Sequence, residues 1–136
     1  MRNLFWLLPF LLTACTSADS TSFTSNITGI WIGVIDGFIS STNKTHHVSF
    51  TANTVHDTTA DTVTGTAAIP SEGDACFVGG PITGTVTGSK VEMQIADETG
   101  AAISLTGDVT ASTMVGIFSS NGGNCGAMSG SWQLSR

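Results

Sequence analysis

The feature that most limits the fold of this chain is an alternation of apolar with small or polar side chains, in steps of two, from residue 27 onward. In Lys90–Ala96, for example, Val91, Met93 and Ile95 alternate with two charged residues and a glutamine. Successive side chains of a β-strand point to opposite faces, so this period predicts strands with one face in a core and the other in water. Eight such segments are predicted, at residues 27–35, 45–55, 61–69, 82–88, 90–96, 101–109, 113–119 and 127–134.

Eight short strands joined by short connections predict an all-β domain over residues 27–136, built as an eight-stranded antiparallel up-and-down β-barrel. Closing the sheet removes its exposed edges, and eight strands leave room inside for side chains or one small ligand. The residues Gly65, Gly84, Gly107 and Gly116 recur on the apolar face, as expected for a tightly curved interior. A two-sheet sandwich is the alternative architecture.

The first fifteen residues have a different character. Arg2 precedes an apolar run at residues 4–12, and the run closes with Leu12-Thr13-Ala14-Cys15. A basic start, a short apolar segment and small residues before a cleavage site are typical of a secretory signal peptide. The stretch resembles the lipobox of bacterial lipoproteins, in which the cysteine is lipidated and becomes the first residue of the mature chain. An ordinary secretory signal is the alternative.

The lipobox resemblance implies a signal peptide at residues 1–14, a lipid on Cys15 and a polar, flexible tether at residues 15–26. It implies a protein of the cell envelope, held to the membrane by its lipid. Thr16, rather than an aspartate, follows the cysteine, which favours the outer membrane in a Gram-negative source. The net charge of −6 and the scarcity of Lys and Arg argue against a nucleic acid partner.

In a meander, successive connections alternate between the two ends of the barrel. Residues 36–44, 70–81, 97–100 and 120–126 are therefore expected at one end, which we call the long-loop end. The tighter turns at 56–60, 88–89 and 110–112 are expected at the other, the short-turn end, together with the tether. Long connections more often carry function, so the long-loop end is the expected working surface.

Two cysteines remain after Cys15 is assigned to the lipid. Cys76 and Cys125 form an even pair in a chain predicted to be exported, and both fall at the long-loop end. The sequence therefore predicts a disulfide between them. Their connections lie on opposite sides of an eight-strand ring, so the bridge is expected to cross the mouth of the barrel.

Gly29-x-Trp31 at the start of the first strand resembles the opening Gly-x-Trp of lipocalin-type barrels. In that family the tryptophan packs at the closed end of the barrel. Trp132 lies on the last predicted strand, which neighbours the first if the barrel closes. The two tryptophans are then expected to meet across the seam.

The residue pattern does not indicate a catalytic site or a metal site. His46 and His47 are adjacent, so on a strand they point to opposite faces. His56 is expected in a solvated turn with Asp57 and Asp61. Nucleophile-elbow and phosphate-binding glycine motifs are missing from the sequence. We therefore expect no enzyme, no metal and no cofactor.

The expected function is a non-enzymatic binding or interaction module that uses the disulfide-linked long-loop end, with a protein or small molecule of unknown identity as its partner. A carrier of a small apolar ligand inside the barrel and an inhibitor of an envelope enzyme are the alternatives. Phe77 is the one apolar residue that stands out there as an anchor for a partner. The candidate interaction rim consists of Asp36, Glu72, Asp74, Phe77, Asp97 and Glu98.

Overall fold

A computed structural model describes residues 24–70 and 76–136 and shows a closed barrel of eight antiparallel strands. Each strand pairs with the next along the chain, and the last pairs with the first. The predicted up-and-down barrel is confirmed, and the sandwich is excluded. The strands are β1 (Gly29–Ile39), β2 (Lys44–Asp57), β3 (Thr62–Ala68), β4 (Gly79–Thr87), β5 (Lys90–Ala96), β6 (Ala102–Val109), β7 (Thr113–Asn121) and β8 (Met128–Ser135).

The connections alternate between the two ends of the barrel as predicted, but the bounds of some connections differ. Residues 40–43, 69–78, 97–101 and 122–127 connect strands at the long-loop end, and residues 58–61, 88–89 and 110–112 connect them at the short-turn end. The predicted loop at 36–44 is wrong, because β1 and β2 continue pairing up to Ile39 and Lys44. That connection is a four-residue turn, so Asp36 belongs to a strand.

The inward-facing side chains of the described residues form one hydrophobic core. It reaches from Ile27 at the short-turn end to Phe77 at the long-loop end, and both are buried. Burying a large apolar side chain stabilises a fold by about 1.5–3 kcal/mol, so this filling holds the barrel together. The largest fully buried side chains are Trp31, Trp132, Phe50, Ile27, Ile35, Ile82, Met93, Ile95, Ile103, Leu105, Met114 and Leu134.

Glycine is required at several inward-facing positions for a steric reason. Gly107 on β6 is paired with Gly116 on β7. A Cβ atom on Gly107 would overlap the carbonyl oxygen of Val115, and one on Gly116 would overlap that of Thr106. The strands are tightly curved, as these glycines predicted. Because neighbouring strands approach each other so closely here, the backbone of one strand occupies the space that a side chain on the other would need, and only glycine fits.

Residues 24–28 close the short-turn end of the barrel. The backbone nitrogen of Ser25 donates to the carbonyl of Gly88, 2.9 Å away, in the turn between β4 and β5. That turn lies across the ring from β1, so the segment spans the whole floor. The carbonyl of buried Ile27 accepts hydrogen bonds from Trp31 Nε1 at 2.8 Å and from the hydroxyl of Thr54. Residues 24–26, predicted as the end of the tether, thus pack onto the domain.

His56 is part of this floor, and its predicted place in a solvated turn is wrong. Strand β2 extends to Asp57 and turns His56 inward, where its residue is 6% exposed. Its Nδ1 accepts a 3.5 Å hydrogen bond from the backbone of Ile27. The histidine therefore holds the N-terminal segment across the floor.

Trp31 and Trp132 do not lie beside each other across the seam, so this prediction is wrong. The register of β1 and β8 places Trp132 beside Ile35. The indole nitrogen of Trp132 instead donates to the carbonyl of Ile117 at 3.0 Å. Trp31 is covered by Arg136, whose guanidinium carbon lies 4.4 Å from the ring centroid.

Candidate functional site

The long-loop end is closed by a disulfide and an aromatic pair. Cys76 and Cys125 are bonded, with their Cα atoms 5.0 Å apart, so the predicted bridge across the mouth is confirmed. Phe77 next to it is only 3% exposed, and its ring meets Phe118 edge-to-face at 6.5 Å between centroids. The prediction that Phe77 is an exposed anchor is therefore wrong: it points down into the barrel and seals the mouth from below.

Asp97 also differs from its predicted role as a rim contact. It is 5% exposed, and its carboxylate accepts hydrogen bonds from the backbone nitrogens of Val78 at 3.0 Å and Gly79 at 2.6 Å. A third bond comes from the backbone of Thr99 at 3.0 Å. Because its acceptor capacity is used inside the protein, Asp97 holds the chain between the disulfide and β4 in place.

Of the other predicted rim residues, Glu98 is exposed at the long-loop end. Glu72 and Asp74 lie outside the described residues, as does Cys15. Asp36 lies on the outer face of β1, where its carboxylate pairs with Nδ1 of His47 on β2; their side chains are 53% and 69% exposed. Of the described acidic residues of the predicted rim, which are Asp36, Asp97 and Glu98, only Glu98 is exposed at the long-loop end, so these three do not form one rim.

His46 and His47 point to opposite faces, as predicted. His47 faces outward to Asp36, whereas His46 faces the mouth, with its Nδ1 3.9 Å from Cys76 Sγ. Within residues 24–70 and 76–136, no three His, Cys, Asp or Glu side chains are grouped closely enough to hold a metal ion.

An exposed aromatic residue, Phe38, stands on the outer wall next to the long-loop end. Its residue is 41% exposed, and a concave surface lies on each side of it. One groove, of about 340 Å³, runs over the backbone of Gly37 and Gly130, which are paired across the seam at inward-facing positions. We call this region the Phe38 cleft; it comprises Asp36, Gly37, Phe38, Ser40, Thr45, His46, His47, Ser119, Ser120, Ala127, Met128, Ser129 and Gly130.

Polar groups line both sides of Phe38. Asp36 and His47 border the larger groove, and hydroxyl groups from Ser40, Ser119 and Ser129 border the smaller one, of about 230 Å³. An aromatic ring between hydrogen-bonding groups is typical of a binding surface. The cleft is thus the described part of the long-loop end best suited to hold a partner.

A second feature of the outer wall was not predicted. Among the described residues, the exposed large hydrophobic side chains all lie on β1, β2 and β7; they are Ile30, Ile32, Phe38, Val55, Val115 and Ile117. The sequence did contain a signal for this. Residues 30–35 are apolar at every position except Gly33, and a strand without alternation is typical of one covered on both faces.

Comparisons with known proteins show no relationship on which function could rest. No protein-family model matches the chain, and no curated protein or solved structure matches it. In the part of the chain that the structure describes, no helix has the length and hydrophobicity needed to cross a bilayer.

Proposed function

We propose that this protein is a lipid-anchored lipoprotein of the bacterial cell envelope and works as a non-enzymatic binding module through its Phe38 cleft. The observation that carries the proposal is the position of Phe38: an exposed aromatic ring between two grooves, beside the long-loop end. Aromatic side chains, phenylalanine included, are enriched at protein interfaces relative to the rest of the surface.

The anchoring part of the proposal is supported by the N-terminal sequence and by the path of the chain. The Leu12-Thr13-Ala14-Cys15 motif resembles a lipobox. The described chain begins at Thr24, whose hydroxyl accepts a 3.4 Å hydrogen bond from the backbone of Gly88 at the short-turn end. A lipid on Cys15 would therefore hold that end towards the membrane and present the Phe38 cleft away from it.

The outer wall is favoured over the interior because the interior is already occupied. Trp31, Phe50 and Trp132 fill the lumen among other buried side chains. Residues 24–28 cover one end, and the disulfide with Phe77 covers the other. A carrier of an apolar ligand would have to displace this core. An inhibitor acting through the disulfide-linked loop loses its anchor, because Phe77 is buried.

The partner is expected to bind through side chains and not by adding a strand. A closed barrel has no free edge to extend, which removes β-augmentation as a mode of recognition. Phe38 offers a flat apolar surface, and Asp36, His47 and Ser129 offer hydrogen bonds around it. A protein segment or small molecule with an apolar centre and a polar periphery fits this arrangement.

The test is site-specific photo-crosslinking of the full-length chain in the cell envelope. A photoreactive amino acid replaces Phe38 in one version and Thr83, which faces outward on β4, in a matched control. We expect discrete cross-linked products from position 38 and none of these from position 83. If position 38 yields no product beyond those of position 83, the cleft is not a binding site.

The anchor is tested separately, so that the two parts of the proposal fail independently. Fatty acid labelling should mark the wild-type chain, and Cys15→Ala should abolish the label and release the protein from the membrane fraction. An unlabelled wild-type chain would contradict lipidation and leave the cleft to be judged by its cross-links.

A further inference from the structure

The outer surface of the seam consists of two apolar ridges with a shallow polar trough between them. Ile30, Ile32 and Val34 form one ridge along β1, and Val115 and Ile117 form the other along β7. The trough is β8, whose outward residues are small or flexible. Gln133 of the trough pairs with Val34 on one side and with Val115 on the other. We call these two ridges and the intervening residues Ser131, Gln133 and Ser135 the apolar wall.

This wall is exposed and confined to one side of the barrel. Ile30, Ile32 and Ile117 are 60%, 61% and 67% exposed. The outward faces of β3 and β4 instead carry mainly threonines, including Thr64 and Thr83. Exposed apolar side chains that are grouped on one side of a domain and bordered by polar residues are typical of an interaction site. The wall extends from the border of the Phe38 cleft, where Ser131 pairs with Asp36, towards the short-turn end, and it shares no residue with the cleft.

We propose that the apolar wall is the contact surface between two copies of this chain, related by a two-fold axis. Its shape is the first argument. Neighbouring strands are about 4.8 Å apart, so the two ridges lie about 10 Å from each other, with one strand as the trough. A ridge of one copy therefore fits the trough of the second, and a two-fold axis repeats the contact in the opposite direction.

Charge is the second argument for a second copy. The chain has a net charge of −6, so two copies repel each other over most of their surfaces. Within Gly29–Ile39, Thr113–Asn121 and Met128–Ser135, Asp36 is the only residue with a formal charge. Its carboxylate already pairs with His47. Strands β3 and β4 also lack formal charges, but they present mainly threonines outward. The seam is thus the side that combines an apolar surface with the absence of an unpaired acidic group.

Size sets the expected strength of the contact. The wall extends about 20 Å along the strands and about 15 Å across them. Such a contact is smaller than the roughly 800 Å² per partner of a standard stable interface. We therefore expect a weak dimer in dilute solution. Confinement of the chains to one membrane would raise their effective concentration and favour it.

The experiment places a photoreactive amino acid at Gln133, in the centre of the trough, in the full-length chain. The matched control carries it at Thr83 on the opposite side of the barrel. Irradiated cells should yield a product of twice the mass of the mature chain from position 133, with peptides of this chain alone. Position 83 should yield no such product.

Two variants identify the surface. In the Gln133 version, Ile32→Thr with Ile117→Thr removes apolar contact from both ridges and should lower the dimeric product roughly tenfold. Ser131→Lys fills the trough from an outward-facing position and should also abolish the product, while leaving the core untouched. Resistance to protease checks that each variant still forms the barrel.

Three results would overturn the proposal. The first is a Gln133 version that remains monomeric after irradiation. The second is a cross-link from position 133 to an unrelated molecule in place of a second copy. The third is a dimeric product that persists in the folded Ser131→Lys variant.

Discussion

Arg136, the last residue of the chain, covers Trp31 on the first strand, with 4.4 Å between the guanidinium carbon and the centroid of the indole ring. The same guanidinium donates hydrogen bonds to the carbonyls of Thr28 at 3.1 Å and Asn26 at 3.2 Å. The side chain of Arg136 thus fastens the segment that crosses the floor of the barrel. One side chain joins the first strand, the N-terminal segment and the end of the last strand.

Removing this fastening should destabilise the domain. We expect Arg136→Ala to lower the free energy of unfolding by about 1–2 kcal/mol, because it removes a cation–π contact and several charged hydrogen bonds. Lys90→Ala is the matched control, since Lys90 forms an exposed ion pair with Asp108 and should contribute less than about 1 kcal/mol. Urea denaturation followed by tryptophan fluorescence measures both. Equal effects would mean that Arg136 is only a surface charge.

The disulfide across the mouth should contribute strongly to stability. The bonded cysteines are separated by 49 positions in sequence. The chain-entropy model gives about 4 kcal/mol for a loop of this length. We therefore expect Cys76→Ser with Cys125→Ser to lower the free energy of unfolding by about that amount, and to make the region around Phe77 accessible to protease. A loss below about 1 kcal/mol would show that the mouth is held by packing alone.

Asp97 is buried and its neighbour Glu98 is exposed, so the same acid-to-amide change can be compared at the two positions. In Asp97→Asn one acceptor oxygen becomes an amide that faces backbone N–H groups, so we expect a loss of about 1–3 kcal/mol. Glu98 is exposed, and Glu98→Gln should change stability by less than about 0.5 kcal/mol. Thermal unfolding of the two variants is the measurement. Similar melting temperatures for both would contradict the role of Asp97 in the loop.

Because the interior of the barrel is filled by side chains, we predict that it does not bind apolar ligands. Phe118 is buried near the mouth, so Phe118→Trp places a fluorescent probe there, in addition to Trp31 and Trp132 in the core. We expect fatty acids to leave the fluorescence of this variant and of the wild-type chain unchanged. A saturable shift in emission in both proteins would restore the carrier hypothesis.

Much of the barrel could be predicted because a half-buried strand produces an alternation of apolar and polar residues that is visible in the sequence. The alternation in Lys90–Ala96 predicted β5 with its observed bounds. The order of the connections then placed Cys76 and Cys125 at the same end, where they are bonded. The strand bounds follow from local periodicity alone, and the placement of the connections follows from the assumption that consecutive strands are neighbours.

The site residues were harder to predict because their role depends on which way a loop folds. Hydrophobicity alone does not distinguish an outward Phe77 from one that points into the mouth. The hydrogen bond between Asp97 and Gly79 joins the connection after β5 to the first residue of β4, and local periodicity does not predict such a contact. The position of Phe38 on the outer face of β1 could not be predicted, because residues 36–44 were assigned to a loop and the strand was expected to end at Ile35.

The most direct measurement is native mass spectrometry of the mature chain carrying Cys15→Ala, exported to an oxidising compartment and sprayed at low concentration. We expect the mass of the bare polypeptide reduced by two hydrogens, as a barrel filled by its own side chains and closed by one disulfide requires. Such a result would leave the outer wall as the place where partners bind. A non-covalent added mass of a small apolar molecule, lost on denaturation, would contradict a filled interior and with it the proposal that the protein binds through its outer surface.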